Sequence, residues 1–262
     1  MCQLLGMNCN VPTDICFSFE GFAKRGGETD EHKDGWGIAF FEGKGCRTFM
    51  DVQPSAESVV SELVKQYPIH SMNVIAHIRK ASVGAVRLEN THPFSRELWG
   101  EYWVFAHNGD LFGYEPVFTG CYRPVGTTDS ERAFCAILEH LRQRFEERPP
   151  IEAICGAIRE KAKEIAQEGT FNFLLSNGEI LIAHCSTDLH YLIRQHPFDT
   201  AMLKDLDVTV DFQQVTTPKD RVAVIATEPL TENEDWIKIE PGDCMVFRNG
   251  AVAECYKDEF QV

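Results

Sequence analysis

Short apolar runs recur through the first part of the chain, each separated from the next by polar residues or glycine. Runs bounded by glycine predict strands at 2–9 and 35–41, and a further strand is predicted at 46–52. Two more runs, Met72–His77 and Tyr102–His107, are compact and each ends in a polar cluster. Runs of this kind are typical of strands that are buried within a sheet.

Three segments have apolar residues at helical spacing instead. The segment 55–67 begins with a serine cap and predicts a short helix. Apolar positions on one face predict an amphipathic helix from Asp129 to Phe145, with Thr128 or Asp129 as its N-cap. A further helix is predicted from about 151 to 167, and it ends before a glycine.

Strands return in the last third of the chain. Apolar runs on both sides of Asn177-Gly178 predict a hairpin with a type I′ turn, because this dipeptide tolerates the two left-handed conformations that the turn requires. Further strands are predicted at 190–195, 221–227 and 244–256, the last with a second hairpin turn at Asn249-Gly250. Strands at both ends with helices between them predict an α+β architecture, in which helices cover antiparallel sheets.

Composition favours one globular unit. The 262 residues are 44% hydrophobic and 11% aromatic, which is enough apolar material for one large core. No linker or repeat divides the chain, so we expect a single domain over residues 2–262. No apolar run approaches the ~20 residues that span a bilayer. The first residues also lack the features of a secretory signal, and we therefore expect a cytoplasmic protein without a membrane segment.

Charge and cysteine spacing exclude two classes of function. The net charge of −15 argues against a nucleic-acid partner, because binding of the phosphate backbone depends on clusters of lysine and arginine. The ten cysteines form no CxxC pair, so the sequence predicts neither a metal site nor a thioredoxin-like redox motif. We expect most of these cysteines to be reduced and to act as small buried hydrophobic residues.

Cys2 is the strongest candidate for a catalytic residue, because it directly follows Met1. Removal of Met1 would give one residue both a thiol and a free α-amino group. Their reference pKa values, about 8.5 and about 7.7 to 8.0, both lie close to physiological pH. The amine can then accept the thiol proton and leave an attacking thiolate. The alternative is that Met-Cys is simply the start of the sequence.

The two compact strands end in residues that can bind a substrate. Arg79 follows the first strand, and its guanidinium can hold a carboxylate through two hydrogen bonds or form an ordinary ion pair. Asn108 and Gly109 follow the second strand. An amide side chain beside a bare backbone N–H can supply two donors to an oxyanion, although Asn-Gly is also a common turn. Asp129, at the start of the long helix, can accept a substrate ammonium group as well as cap the helix.

The order of these motifs resembles the class II glutamine amidotransferases, which are members of the N-terminal-nucleophile hydrolases. The segments that carry the resemblance are Met1-Cys2, GWG at 35–37, HxRxA at 77–81, ENTHPF at 89–94, HNG at 107–109 and TDSE at 128–131. The resemblance spans nearly the whole chain. It implies a four-layer αββα sandwich of two antiparallel sheets between helices, formed by one glutamine amidotransferase domain after removal of the first residue.

The resemblance also implies a role for each candidate residue. Cys2 is the implied nucleophile, with its own amine as the base, and Asn108 and Gly109 are the implied oxyanion donors. Arg79 is implied to bind the α-carboxylate of glutamine, and Asp129 its α-ammonium group. The implied reaction releases ammonia through a γ-glutamyl thioester and requires no metal or organic cofactor.

One segment departs from the family pattern and leaves the substrate open. Residues 77–84 are HIRKASVG, whereas synthase-linked relatives have a sequence closer to HTRWATHG. Three functions therefore remain. The chain is a glutamine amidohydrolase that passes ammonia to a separate acceptor such as a synthase subunit, a hydrolase of another γ-glutamyl amide or peptide, or a non-catalytic glutamine-sensing module. We also expect the part after about residue 200 to complete the second sheet and to offer a surface for a homodimer.

Overall fold

The computed structural model describes residues 2–82 and 84–257, so the expected removal of Met1 lies outside the described residues. The strands are β1 (Gln3–Thr13), β2 (Trp36–Glu42), β3 (Gly45–Asp51), β4 (Ser71–Ile78), β5 (Phe94–Leu98), β6 (Glu101–Asn108), β7 (Asn172–Ser176), β8 (Leu181–His184), β9 (Leu189–Gln195), β10 (Thr200–Met202), β11 (Thr209–Asp211), β12 (Arg221–Ala226), β13 (Ile237–Ile239), β14 (Cys244–Arg248) and β15 (Ala251–Tyr256). The helices are α1 (Cys16–Lys24), α2 (Val59–Gln66), α3 (Asp129–Arg144) and α4 (Ile151–Ile165).

Two large antiparallel sheets contain most of these strands. The first sheet has seven strands in the order β13-β9-β12-β1-β4-β2-β3, and the second has six in the order β15-β14-β8-β7-β6-β5. β10 and β11 form a separate two-stranded ribbon. β1 is therefore a central strand, with β12 on one side and β4 on the other, although these neighbours are far from it in the sequence.

Side chains of each sheet alternate between two apolar layers. In β1, Leu5 packs with α1 and α2, whereas Leu4 packs into the layer between the sheets. In β6, Phe105 packs with α3 and α4, whereas Val104 faces the layer between the sheets. This alternation follows from the two-residue period of a strand. The order of layers is helices, sheet, sheet, helices, which confirms the expected αββα sandwich.

Two helices differ from the prediction. The structure contains α1, which was not predicted, because its N-cap residue is the apolar Ile15 and Gly21 interrupts its apolar pattern. The predicted helix at 55–67 is shorter, since Ser58 is its N-cap and accepts a hydrogen bond from the Ser61 N–H at 3.3 Å. Ser55 instead donates its hydroxyl to the Ala23 carbonyl at 2.7 Å.

The two Asn-Gly turns have different geometries. The type I′ prediction at Asn177-Gly178 is wrong, because only the glycine has a positive φ, +87°. The Asn177 side chain instead accepts the N–H groups of Glu179 and Ile180 at 3.1 and 3.2 Å. At Asn249-Gly250 both residues have positive φ, +53° and +71°, as a type I′ turn requires.

The part after residue 200 contributes to both sheets, not only to the second as expected. β12 and β13 belong to the first sheet, and β14 and β15 to the second. All ten cysteines are free thiols, five of them buried. Among the residues described, no helix has the length and apolar character needed to cross a bilayer.

Candidate active site at one end of the sandwich

Cys2 lies immediately before β1, beside the end of β4. In this pair of strands Gln3 is opposite Ile78, so the same register continued by one residue puts Cys2 opposite Arg79. The Cys2 Sγ accepts the Lys80 N–H at 3.3 Å and lies 3.4 Å from the Lys80 carbonyl oxygen. Burial raises the pKa of the Cys2 thiol to about 11, against the opposing effect of the Lys80 N–H. The thiol is therefore protonated at neutral pH and needs a base to become a nucleophile.

The start of β1 is held by residues from distant parts of the chain. The Leu4 N–H donates to the Thr227 Oγ1 at 2.9 Å, and the Leu4 carbonyl accepts the Thr227 N–H at 3.1 Å. The buried Arg25 guanidinium contacts the Gln3 side-chain oxygen at 3.4 Å and forms an ion pair with Asp205 at 2.8 Å. These contacts fix the backbone that carries Cys2.

Arg79 is buried directly after β4, where its guanidinium binds two backbone carbonyls. It donates to the Gly84 carbonyl at 3.0 Å and to the Ala85 carbonyl at 3.1 Å. The Arg79 N–H donates to the Gly35 carbonyl at 2.8 Å, so the GWG segment supports the same strand end. Burial lowers the pKa of the Arg79 guanidinium, and the negative charge of Asp129 is among the groups that oppose this.

Asn90, in the ENTHPF segment, connects the loop that follows Arg79 with the start of α3. Its amide nitrogen donates to the Ala85 carbonyl at 3.0 Å, and its amide oxygen accepts the Thr127 N–H at 2.8 Å. No local pattern explains this segment. The structure explains it, because a single buried side chain joins two of the candidate segments.

Asn108 is the last residue of β6 and is fully buried. Alternation along β6 directs its side chain, like that of Val104, into the layer between the sheets. Cys2 has the same parity as Leu4 of β1 and therefore approaches the same layer. The Asn108 amide nitrogen lies 3.5 Å from the Thr227 Oγ1, and its amide oxygen has no partner in the described part of the chain.

Gly109 can only be glycine at this position. A Cβ atom would lie 1.9 Å from the Thr170 carbonyl oxygen and 2.9 Å from the His107 Nε2. The Thr170 N–H in turn donates to the Asp110 carbonyl at 3.0 Å, and Gly169 forms an isolated bridge with Leu111. The backbone that precedes β7 thus packs directly on the turn that follows β6.

Asp129 is the first residue of α3, and the N-cap is Thr128, whose Oγ1 accepts the Glu131 N–H at 3.2 Å. One Asp129 carboxylate oxygen accepts the Leu111 N–H at 2.8 Å, and the other accepts the Ser130 N–H at 2.9 Å. Each carboxylate oxygen has a second lone pair, so these bonds leave acceptor capacity for a ligand. They also fix the carboxylate beside the turn at 108–111.

The five candidate residues thus lie on element ends that meet at one end of the sandwich. Sequence reasoning missed three residues that support them, namely Arg25, Thr170 and Thr227. No local pattern marks these residues, because each contacts the site from a distant part of the chain.

A cavity of about 450 Å³ gives access to Cys2. Thr227 lies in its wall beside the thiol. The charged and titratable residues around it are Asp30, His32, Lys80, Asp188, His190 and Glu228. The entrance therefore carries three carboxylates, while its one lysine is paired with Glu31 at 2.9 Å.

The sequence matches the model of a known family over residues 1–261, and that family is described as glutamine amidotransferases class-II. This chain belongs to the class II glutamine amidotransferase family. YafJ of Escherichia coli (strain K12), provisionally named a glutamine amidotransferase, is 57% identical over 248 residues, which are 94% of this chain and 97% of YafJ. A similarly named protein of Haemophilus influenzae is 54% identical over 250 residues, 95% of this chain and 85% of the relative.

Solved structures agree with this assignment. A predicted glutamine amidotransferase of Pseudomonas aeruginosa has a TM-score of 0.78 and 45% identity, covering 96% of this chain and 99% of that one. The glutamine phosphoribosylpyrophosphate amidotransferase of B. subtilis has a TM-score of 0.61 at 14% identity, covering 99% of this chain and 50% of that one. The second similarity concerns the fold alone. Together these comparisons confirm the family and the fold that the motifs predicted.

Proposed function

We propose that this amidotransferase hydrolyses the side-chain amide of glutamine with Cys2 as an N-terminal nucleophile. The observation that carries the proposal is the position of the Cys2 Sγ, which contacts the Lys80 backbone directly after Arg79. Family membership supports the substrate class. We further propose that residues 2–262 act as a single cytoplasmic domain once Met1 has been removed.

The first chemical step is formation of the nucleophile. Loss of Met1 frees the α-amine of Cys2, which accepts the thiol proton directly or through one water molecule. The thiolate attacks the γ-carboxamide carbon, and Asn108 and Gly109 donate hydrogen bonds to the oxygen that becomes negative. Such preorganised donors typically contribute about 2.7 to 4 kcal/mol each to lowering the barrier.

The second step breaks the carbon–nitrogen bond. The protonated amine returns its proton to the leaving nitrogen, so ammonia departs and a γ-glutamyl thioester remains. Water then hydrolyses the thioester to glutamate and regenerates Cys2. Every proton transfer in this sequence uses the substrate, water or Cys2 itself.

Arg79 and Asp129 supply the binding of the amino-acid end of the substrate. A guanidinium and a carboxylate together complement the α-carboxylate and α-ammonium groups of glutamine. Both side chains are buried and held by backbone groups, which favours a fixed orientation of the substrate. We propose that the released ammonia passes to a separate acceptor, such as a synthase subunit, and that the protein acts alone or as a homodimer.

A second candidate function is hydrolysis of a larger γ-glutamyl amide. The cavity at Cys2, about 450 Å³, favours this candidate. Ammonia is close in size to water, which occupies about 30 Å³ in the liquid. Arg79 and Asp129, which we propose to bind the glutamyl part, do not line this cavity, so its space is open to a leaving amine that carries further groups.

Mass spectrometry and an ammonia assay test both candidates together. We expect the purified protein to have lost Met1 and to be alkylated at Cys2 by a diazoketone analogue of glutamine. Cys2→Ala should abolish release of ammonia from glutamine, whereas Cys121→Ala, which removes an exposed thiol, should not. Faster release of amines from γ-glutamyl amines than of ammonia from glutamine would favour the second candidate. Processed protein that cleaves neither substrate would contradict the proposal.

A further inference from the structure

Two buried histidines connect the layers that carry the candidate site. His77, in β4, faces the layer between the sheets, and its Nε2 lies 3.1 Å from the His107 carbonyl oxygen. A carbonyl can only accept, so His77 donates from Nε2. Because β4 belongs to the first sheet and β6 to the second, this bond joins the two sheets one residue before Asn108.

His107 continues the connection to the helical layer. Its ring lies on the same side of β6 as Phe105, and its Nε2 donates to the Thr170 carbonyl at 3.0 Å. In the neutral ring the Nδ1 is then an acceptor, and the Ser130 hydroxyl lies 2.8 Å from it. Ser130 directly follows Asp129 at the start of α3.

The surroundings favour neutral imidazoles at both positions. Burial lowers the pKa of His77 to about 3, and it also lowers the pKa of His107 despite the nearby charges of Asp129 and Asp110. In the described part of the chain the His77 Nδ1 has no hydrogen-bond partner, so a proton there would be buried without an acceptor. The His92 ring packs on His77 with centroids 4.2 Å apart and limits its rotation.

We propose that His77 and His107 are positioning residues that hold the turn at 108–109 in register with Arg79 and Asp129. Arg79 follows a strand of the first sheet, the turn follows a strand of the second, and Asp129 begins a helix of the outer layer. The hydrogen bonds from His77 to the His107 carbonyl and from Ser130 to the His107 ring, here called the relay, both end on His107 and connect these three layers. The inference rests on the proposed function, since that function gives these three groups their roles.

The relay matters because the proposed oxyanion donors must be correctly placed before the transition state forms. A displacement of about 1 Å in a reacting geometry can cost about 10²-fold in rate. Apart from the contact of 3.5 Å between the Asn108 amide nitrogen and the Thr227 Oγ1, the sheets meet here through apolar contacts, which have no preferred direction. The hydrogen bonds to the carbonyl and ring of His107 are directional and therefore orient the turn at 108–109. Their loss should reduce kcat more than it raises KM.

The test compares two substitutions of the same histidine. His77→Leu removes the donor, whereas His77→Gln keeps a neutral N–H donor close to the position of Nε2. We expect His77→Leu to lower kcat for amide hydrolysis roughly 10- to 100-fold, with a much smaller change in KM, and His77→Gln to restore most of the rate. His140→Leu and His140→Gln are matched controls, because His140 lies on α3 outside the relay. Equal rates for the two His77 variants would overturn the proposal.

Hydrogen exchange measures the position of the turn without relying on activity. We expect peptides covering 107–111 to exchange faster in His77→Leu than in wild type, with recovery in His77→Gln. Ser130→Ala removes only one hydroxyl from the relay, so it provides the same comparison if His77→Leu does not fold. Unchanged exchange in that segment would overturn the proposal. If wild type hydrolyses no γ-glutamyl substrate, the proposed function fails, and exchange still decides whether the relay holds the turn.

Discussion

The two strand ends that frame the candidate site are supported in different ways. After β4, the Arg79 guanidinium binds the carbonyls of Gly84 and Ala85, which belong to an exposed surface loop. After β6, Asn108 and Gly109 are enclosed by buried Thr227 and by the Thr170 backbone. One end depends on a surface segment and the other on the interior of the sandwich.

This difference suggests that the two strand ends have separate roles in the proposed mechanism, one in substrate binding and the other in catalysis. Exposed loops with few buried contacts open at a lower free-energy cost than packed strands. We therefore expect Gly84 and Ala85, beside Arg79, to adjust more easily as a substrate enters than the packed turn at 108–109. Changes at Asn108 and Gly109 should chiefly lower kcat, and changes at Arg79 should chiefly raise KM.

Gly109→Ala, at the end of β6, should cause the largest loss of activity. Its Cβ would lie 1.9 Å from the Thr170 carbonyl, so the turn or the backbone that precedes β7 must move. We expect kcat to fall roughly 10³-fold or more, because both proposed oxyanion donors belong to this turn, and we expect a lower melting temperature. Gly113→Ala is a matched control, since Gly113 also has a positive φ, +72°, but open space around its Cα. Near-wild-type kcat in Gly109→Ala would contradict the rigid turn.

Asn108→Ala should produce the next largest effect. Removal of one oxyanion donor typically lowers turnover on the order of 10²- to 10³-fold, and we expect a loss in that range. Asn108→Asp has nearly the same shape but replaces the amide donor with a negative charge, so it should be at least as inactive. Steady-state kinetics with glutamine measure both. An active Asn108→Asp enzyme would show that shape alone is needed here.

Arg79→Lys tests the other strand end. Lysine keeps the positive charge but cannot hold two carbonyls and a carboxylate with a planar fork. We expect KM for glutamine to rise roughly 10-fold or more, with a smaller change in kcat. Arg87→Lys is the matched control, because the Arg87 side chain is exposed and forms a surface ion pair with Glu89 at 3.8 Å. A loss confined to kcat would contradict the assignment of Arg79 to substrate binding.

The smallest expected effect concerns His77, which lies in β4 two residues before Arg79. Burial lowers the pKa of His77 to about 3, compared with about 6.5 in an unfolded chain. Between these values the unfolded state binds a proton that the folded state does not. The contribution of His77 to stability is therefore complete above about pH 6.5 and decreases as the pH falls towards 3.

We accordingly expect the melting temperature to be lower at pH 5 than at pH 7, and the difference to be smaller in His77→Gln. Thermal unfolding across this pH range measures it. His70→Gln, which changes an exposed histidine, should keep the wild-type dependence. If the melting temperature of His77→Gln depended on pH as that of wild type does, this histidine would remain accessible to protons in the folded protein.

Much of the architecture could be predicted because compact apolar runs bounded by polar residues or glycine are local features of the sequence. The buried runs that became β4 and β6 were identified together with the polar residues at their ends, and the joint order of motifs indicated the family. The exact start of a helix was harder to predict. Ser55 and Ser58 are chemically alike, and only the packing of α1 decides that Ser55 bonds the Ala23 carbonyl while Ser58 caps α2.

The supporting residues of the site could not be predicted for a different reason. Thr227 reaches the Leu4 N–H across 223 positions and Asn108 across 119. Thr170 restricts position 109 through its backbone carbonyl, so its side-chain identity carries no signal. These long-range contacts follow from the pairing of β1 with β12 and from the stacking of the two sheets, neither of which a local pattern specifies.

The central position of β1 has a consequence for how the protein is made. β1 leaves the ribosome first, but one of its two neighbouring strands, β12, begins only at Arg221. At about 5–20 residues per second, synthesis of the intervening chain takes roughly ten to forty seconds. During that interval the proposed nucleophile has neither Thr227 behind it nor a complete sheet around it. The site that we propose around Cys2 is therefore completed only after β12 and Thr227 have been synthesised, long after the nucleophile itself.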